Sequence, residues 1–290
     1  MINFILTFKQ IKNLVILFAF IGLGFTANAQ YTENTEVGFI GGASYYLGDL
    51  NNSHFNNSLP FGGIVIRKNI DRRFSYKAEL LYLNIAADDK NDPTDTIAID
   101  RGLNFRSSVF ELSGQIEFNF LPFEPGNALY TWTPFVYTGL SFFKFNPQGE
   151  NKNGLWVDLQ ELGTEGQGTE SFAERKKYPL VQFAIPLGGG LKIAINHSFN
   201  IILEYGVRKT FTDYLDDVST TYPGKDVLIP EYGYESFEMS DKFWRGNENG
   251  LKAEHISGSD RGDPTKKDWY SFFGITLSFK LNNQSIGCDY

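Results

Sequence analysis

Cysteine is almost missing from this chain: Cys288 stands alone, so no intramolecular disulfide can brace the fold. Histidine is nearly as scarce. His54, His197 and His255 lie far apart without ligand spacing, and no metal site is expected from them. After residue 30 there is no apolar run near the roughly 20 residues that a spanning helix requires. That excludes a helical membrane protein but leaves a strand protein open, because a closed barrel also satisfies its backbone in lipid. Basic excess is missing too. The 26 basic residues stand against 34 acidic ones, a formal charge of −8, which argues against nucleic-acid binding.

What is present begins with an export signal. Lys9 and Lys12 precede a short apolar stretch (13–25), and Ala27-Asn28-Ala29 supplies the small-residue exit before Gln30. Residues 1–29 are therefore expected to be removed, leaving one domain over 30–290. Loss of the two lysines leaves 24 bases against 34 acids and takes the charge from −8 to −10. Aromatics make up 16% of the chain and glycine occurs 29 times, a composition that favours strands over helices.

The clearest strand is VFELSGQIEFNF (109–120). Phe110, Leu112, Ile116, Phe118 and Phe120 fall on one face, and Glu111, Ser113, Gln115, Glu117 and Asn119 on the other. Seven more candidates follow the same logic: 36–47, 61–68, 74–84, 132–145, 180–195, 199–211 and 269–281. Pro186 within 180–195 predicts a bulge or locally broken pairing. The connections decide where these strands lie. Short segments at 69–73, 122–131 and 196–198 alternate with long ones at 48–60, 85–103, 146–179 and 212–268. A soluble sandwich has no reason to sort its loops this way, whereas an outer-membrane barrel does, with short periplasmic turns and long extracellular loops. The fold expected is all-β: an eight-stranded antiparallel transmembrane β-barrel.

In such a barrel the polar faces look inward. Lys77, Glu79, Glu111, Glu117, Lys192, Glu204, Arg208 and Lys280 would then share the interior, four acids with four bases. An eight-stranded bore is only wide enough for its own side chains, and opposite charges inside it should pair. The expected product is a plugged cylinder with no conducting path.

Few motifs suggest chemistry. TFTDYLDDVSTTY (210–222) carries Asp213, Tyr214, Asp216 and Asp217. Clustered carboxylates could hold a hard cation, but the spacing is not that of a calcium loop, and a short helical turn capped near Asp213 at the barrel rim is favoured. Arg261-Gly262-Asp263 spells an integrin-type tripeptide and reads better as a solvated turn. Gly188-Gly189-Gly190 lies within a strand, lacks the helix and Lys of a phosphate loop, and suits a bend or close packing. No nucleophile elbow occurs. No catalytic, cofactor or metal residues are assigned, and an enzyme is not expected.

Several segments carry a family resemblance: TFTDYLDDVSTTY (210–222), TPFVYTGLSFFKFNP (133–147), IPLGGGLK (185–192), RGDPTKKDWYSFFGITLSFKL (261–281) and GFIGGASYYLGDLN (38–51). With them the chain resembles the PorG family, the integral outer-membrane β-barrel component of the type IX secretion system of Bacteroidetes. The resemblance spans nearly all of the mature chain, and the aspartate-rich segment is its most specific part. It implies a barrel in contact with outer-membrane lipid that anchors a periplasmic ring of PorK and PorN. That machine exports proteins with a C-terminal sorting domain, including the adhesins of gliding motility. The rival expectation is a small surface barrel whose long loops bind a ligand or host molecule.

Overall fold

Strands β3 (Phe74–Asp88) and β4 (Asn104–Asn119) carry the strictest alternation in the chain, and they close the sheet. They pair from Phe74 opposite Phe118 up to Asp88 opposite Asn104. The remaining wall is β1 (Asn34–Leu47), β2 (Leu59–Asn69), β5 (Trp132–Lys144), β8 (Val181–Ala194), β9 (Phe199–Thr210) and β10 (Trp269–Lys280). Each of these eight strands pairs antiparallel with two neighbours, in the cyclic order β1-β2-β3-β4-β5-β8-β9-β10 and back to β1. A short hairpin, β6 (Pro147–Glu150) and β7 (Trp156–Asp158), extends β4 above the barrel. The computed structural model describes residues 33–91, 96–245 and 253–281. The expected signal segment, Cys288 and the tail beyond 281 lie outside them.

Closure leaves none of the eight wall strands with an unpaired edge, which is what lipid demands of a spanning strand. The outer wall is apolar all round: Phe39, Ile66, Leu80, Phe110, Leu112, Ile116, Phe142, Val181, Phe183, Ile275 and Phe279 are all exposed there. Monomeric soluble proteins rarely expose so large a continuous apolar surface, whereas an outer-membrane barrel carries an apolar band about 25 Å tall. Among the described residues no helix is long and apolar enough to cross a membrane; the strands do the crossing. Turns at 70–73, 120–131 and 195–198 close one end, and long segments at 48–58, 89–103, 145–180 and 211–268 leave from the other.

Pro186 acts as expected in one of the two ways. The β5–β8 ladder breaks between Thr138–Leu187 and Ser141–Ala184, yet the register on either side is the same, so no residue is inserted. On its other side Pro186 still faces Arg208 of β9. Two elements depart from expectation. β3 and β4 run four and five residues further outward than the apolar alternation suggests, because the Ile85–Asp88 stretch pairs with residues 104–107 above the belt. The long connections also carry structure of their own: β6–β7, α1 (Thr96–Arg101), α2 (Leu159–Leu162), α3 (Lys225–Tyr232) and α4 (Tyr234–Ser240). These pieces fold down together as a cap. Leu159, Tyr178, Leu215, Val218 and Met239 from the cap join Tyr46, Phe105, Phe143, Phe145 and Tyr270 from the barrel mouth in one buried cluster.

Candidate functional site

Two buried polar assemblies occupy the axis of the molecule. The lower one fills the bore. Glu117 of β4 is its centre: Arg67 donates to it from Nε at 2.7 Å and from Nη2 at 3.2 Å, and Lys192 at 2.6 Å. Lys77 lies 3.5 Å from Glu117, 2.9 Å from Glu79 and 3.1 Å from Glu204. Further out, Arg208 donates to Glu111 at 2.8 Å and to Glu79 at 3.2 Å, and the Tyr270 hydroxyl donates to Glu111 at 2.7 Å. At the periplasmic end Glu36 accepts from Asn69 and Ser278, each at 2.7 Å, with Arg67 3.5 Å away. All of these side chains are buried. The ammonium of Lys77 also sits 3.9 Å from the centre of the Tyr137 ring. Tyr137 fits because Gly188, its cross-strand neighbour on β8, and Gly206 beyond it on β9 leave the wall bare beside it: a Cβ at either position would run into its phenol end.

Seven of the eight charges placed inside from sequence therefore meet in one network. The eighth does not. Lys280 lies partly exposed at the periplasmic mouth and makes no ion pair among the described residues. Two members were missed, Arg67 and Glu36. The sequence IVIRKN (64–69) reads as an apolar run followed by a basic turn, which hides that Val65, Arg67 and Asn69 share the inward face. The observed balance is five acids to four bases.

The upper assembly is built around the aspartate-rich segment, and here the expected helical turn is overturned. Residues 211–219 form a succession of bends, and Asp217 has φ of 69°, a left-handed conformation that stops any helix. The segment does sit at the barrel rim, but its acids point inward. Asp213, Asp216 and Asp217 are all buried. Asp217 accepts from the Tyr178 hydroxyl at 2.6 Å and from Thr164, and its backbone carbonyl accepts from Arg261. Asp213 accepts from Ser219 at 2.6 Å, while Tyr214 stacks on Tyr178 at 4.7 Å. Asp216 and Asp268 flank one tyrosine hydroxyl, that of Tyr46, at 2.6 and 2.8 Å. A single hydroxyl proton cannot serve two carboxylates, so a carboxyl proton shares this site.

Burial is the main cause of the pKa shifts in this rim cluster. It lifts the carboxyls of Asp213 and Asp217 to about 6 despite the hydrogen bonds and the Arg261 charge that oppose it. Burial and then mutual repulsion push Asp268 well above the usual carboxylate range beside Asp216. Asp216 is raised likewise by burial and by Asp49. The carboxylate oxygens are taken up by hydroxyl and backbone donors, and among the described residues no three acidic, His or Cys side chains are grouped to hold a metal ion.

Arg261 corrects the second motif. The tripeptide is a solvated turn only at its far end, where the Asp263 side chain stays partly exposed beside Lys266; Arg261 is only 3% exposed and ties the cap together. It donates to Glu165 at 3.0 Å and to the Ser240 carbonyl at 3.1 Å, and its own carbonyl accepts from Arg101 at 3.1 Å. Arg101 in turn clamps Asp89 through two bonds of 2.9 and 2.7 Å. His255 lies in the same cap, 3.0 Å from both Asp241 and Asp100 and stacked on Tyr222. The Asp241 bond raises its pKa. His54 packs on the outer wall beside Tyr45, and His197 against Gly126 in the periplasmic turns.

Comparison with known families gives one match, over residues 11–230, to a domain of unknown function, DUF6089. The chain belongs to the DUF6089 family. No curated protein matches it. Solved structures with similar strand arrangements include the attachment invasion locus protein Ail of Yersinia pestis, in complex with the heparin analogue sucrose octasulfate. That match has 7% identity, 86% of this chain, 97% of that one and a TM-score of 0.38. Neisserial surface protein A gives 7%, 87%, 100% and 0.39, and OprG from Pseudomonas aeruginosa gives 8%, 85%, 95% and 0.34. At such scores these likenesses carry no argument. The barrel rests on its own closed strand ladder and apolar wall.

Proposed function

We propose that this DUF6089 protein is the outer-membrane barrel of a type IX protein secretion system, a non-enzymatic anchor for the periplasmic PorK and PorN ring. One observation carries the reading: the bore is filled by ion-paired side chains and roofed by a folded cap. A cylinder closed in this way suits a scaffold better than a pore. The resemblance of residues 210–222 and 261–281 to the PorG family supplies the identity of the machine.

The roof faces away from a periplasmic ring, so in this reading contact falls to the opposite end. There the turn at 120–131 is held rigid. Arg72 pairs with Glu124 at 2.8 Å and covers the Tyr130 ring at 4.8 Å, and the Phe123 amide bonds to the Arg72 carbonyl at 3.0 Å. Leu129 projects from this turn 83% exposed. Deleting the gene is expected to stop export of sorting-domain cargo, and Leu129→Asp to reduce ring capture on crosslinking from the periplasmic turns while the barrel still inserts. Normal cargo export in the deletion strain would overturn the proposal.

A second reading has one observation in its favour: the long loops are packed into a fixed shape, as a surface that binds a ligand or host molecule would be. Loop proteolysis on intact cells that abolishes ligand binding while export continues would support it.

A further inference from the structure

The outer wall has a cleft of about 510 Å³ at its extracellular margin, lined in part by Pro60, Asn84, Arg106, Ser108, Asn146 and Gln148. Its origin is a step in the sheet. β2 begins at Leu59 and pairs with β3 only as far as Gly62–Tyr82, whereas β3 and β4 continue together to Asp88–Asn104, and β6 joins β4 at Arg106–Gln148. The wall above β2 is therefore recessed, with polar groups at the back. Ser108 donates to the Asn84 carboxamide at 3.0 Å, and Asn84 donates to the Pro60 carbonyl at 3.1 Å.

Arg106 supplies charge at this place. Its Nε donates to Gln148 at 3.1 Å and its guanidinium lies 4.3 Å from the Trp156 ring centre, which fixes its plane. Among the described residues it has no carboxylate partner. Asp158, on the same hairpin, is occupied instead by the amides of Asn146 and Gln148 at 2.9 and 2.7 Å. Directly below the cleft the wall becomes apolar. Tyr82 and Phe110 pack at 4.7 Å, with Tyr82 bonded upward to Ser108 at 3.0 Å and Leu112 exposed beneath.

An oriented guanidinium, amides and hydroxyls in a recess, with an apolar track leading down from them, match a molecule with an anionic polyhydroxylated head and acyl chains. We propose that this cleft binds the phosphorylated sugar headgroup of an outer-leaflet glycolipid. Arg106 would take the phosphate, Asn84, Ser108 and Asn146 the sugar hydroxyls, and the chains would run down over Tyr82, Phe110 and Leu112. A phospholipid head would bring the phosphate without the sugar hydroxyls that the amides and Ser108 address. The inference depends on the barrel's orientation in the membrane and is independent of any role in secretion.

The test uses the full mature protein in detergent micelles, with diphosphoryl lipid A, phosphatidylglycerol or inorganic phosphate added, and native mass spectrometry of retained lipid. Wild type should keep lipid A on the order of tenfold better than phosphatidylglycerol, and inorganic phosphate should not compete. Arg106→Glu, which loses a charge-assisted contact, and Ser108→Trp, which fills the recess, should each reduce lipid A retention on the order of tenfold. Lys209→Glu, a charge change elsewhere on the extracellular margin, should leave retention unchanged. Ser108→Trp fills the recess without altering charge, so it keeps the proposal exposed if Arg106→Glu fails to fold. Folding of each variant is checked by heat-modifiable gel mobility. Equal retention by either folded variant and wild type, or equal retention of phosphatidylglycerol, would overturn the assignment.

Discussion

The bore and the cap both bury carboxylates, but they neutralise them with different donors. In the bore, Glu36, Glu79, Glu111, Glu117 and Glu204 are met only by side chains: Arg67, Lys77, Lys192, Arg208, Asn69, Gln115, Tyr270, Ser113 and Ser278. In the cap, backbone amides take much of that work. Glu165 accepts from the amides of Ser219 and Thr220, Asp89 from Leu103, Asp216 from Val218 and Asp268 from Leu215. Backbone geometry accounts for the contrast. Every strand amide of a closed barrel is committed to its neighbours or faces along the wall, so a buried acid there needs a side-chain cation. Irregular chain leaves amides free to turn inward, and an acid can then be held by dipoles and, where burial is strong enough, by a retained proton.

The contrast would be broken most forcefully at Glu117. Replacing it with Ala leaves Lys192 without a carboxylate among the described residues and takes the nearest one from Arg67, in a space that water reaches poorly, while Lys77 keeps Glu79 and Glu204. Removing one partner of a buried pair costs about 3–5 kcal/mol, and no strand amide can turn to compensate. Urea unfolding in lipid vesicles should show a loss of that size, with Glu117→Gln intermediate. A change below about 1 kcal/mol would mean that water already enters the bore and screens the pairs.

Legibility in the sequence follows the same division. Period-two alternation made β3, β4 and β10 readable, and with them Lys77, Glu79, Glu111 and Glu117, because each strand position fixes a face. Arg67 escaped since its outward neighbours Ile64 and Ile66 and its inward neighbour Val65 are equally apolar, leaving no alternation to read. The cap had no period at all. Tyr214, Leu215 and Val218 occur at near-helical spacing among the aspartates, and nothing local reveals that Asp217 turns left-handed to meet Tyr178 and Arg261 from distant segments. Arg261 looked solvated for the same reason. Its partners Glu165, Asp217 and Ser240 are 96, 44 and 21 residues away.

Arg261→Met should produce the next largest effect, and a localised one. Glu165 would lose its cation but keep the Ser219 and Thr220 amides and the Thr220 hydroxyl. The cost should fall to about 1–3 kcal/mol, that of a buried group left partly satisfied. Hydrogen exchange should accelerate across 211–222 and the α4 segment while the strand amides stay protected. Equal acceleration in the barrel would show that cap and bore unfold as one unit.

The smallest effect is a pH slope confined to the cap. Asp217 has a pKa of about 6 in the folded protein, against about 3.9 for an aspartate in an unfolded chain. The folded cap thus binds a proton that the unfolded segment releases. Its stabilising contribution is complete below pH 4, declines as pH rises toward 6, and is gone above that. Asp213, also near 6, acts in the same direction. The urea midpoint for cap opening should therefore fall between pH 4 and 6, by about 2 kcal/mol in stability for each of the two groups, and level off afterwards. Asp217→Asn keeps an acceptor for the Tyr178 hydroxyl and tolerates the left-handed backbone, so the variant should still fold. It should also show a flatter slope over that interval, leaving the share due to Asp213 and any contribution from the Asp216–Asp268 pair. An unchanged slope would take the retained proton off Asp217 and leave it with Asp213 or with the Asp216–Asp268 pair at the Tyr46 hydroxyl.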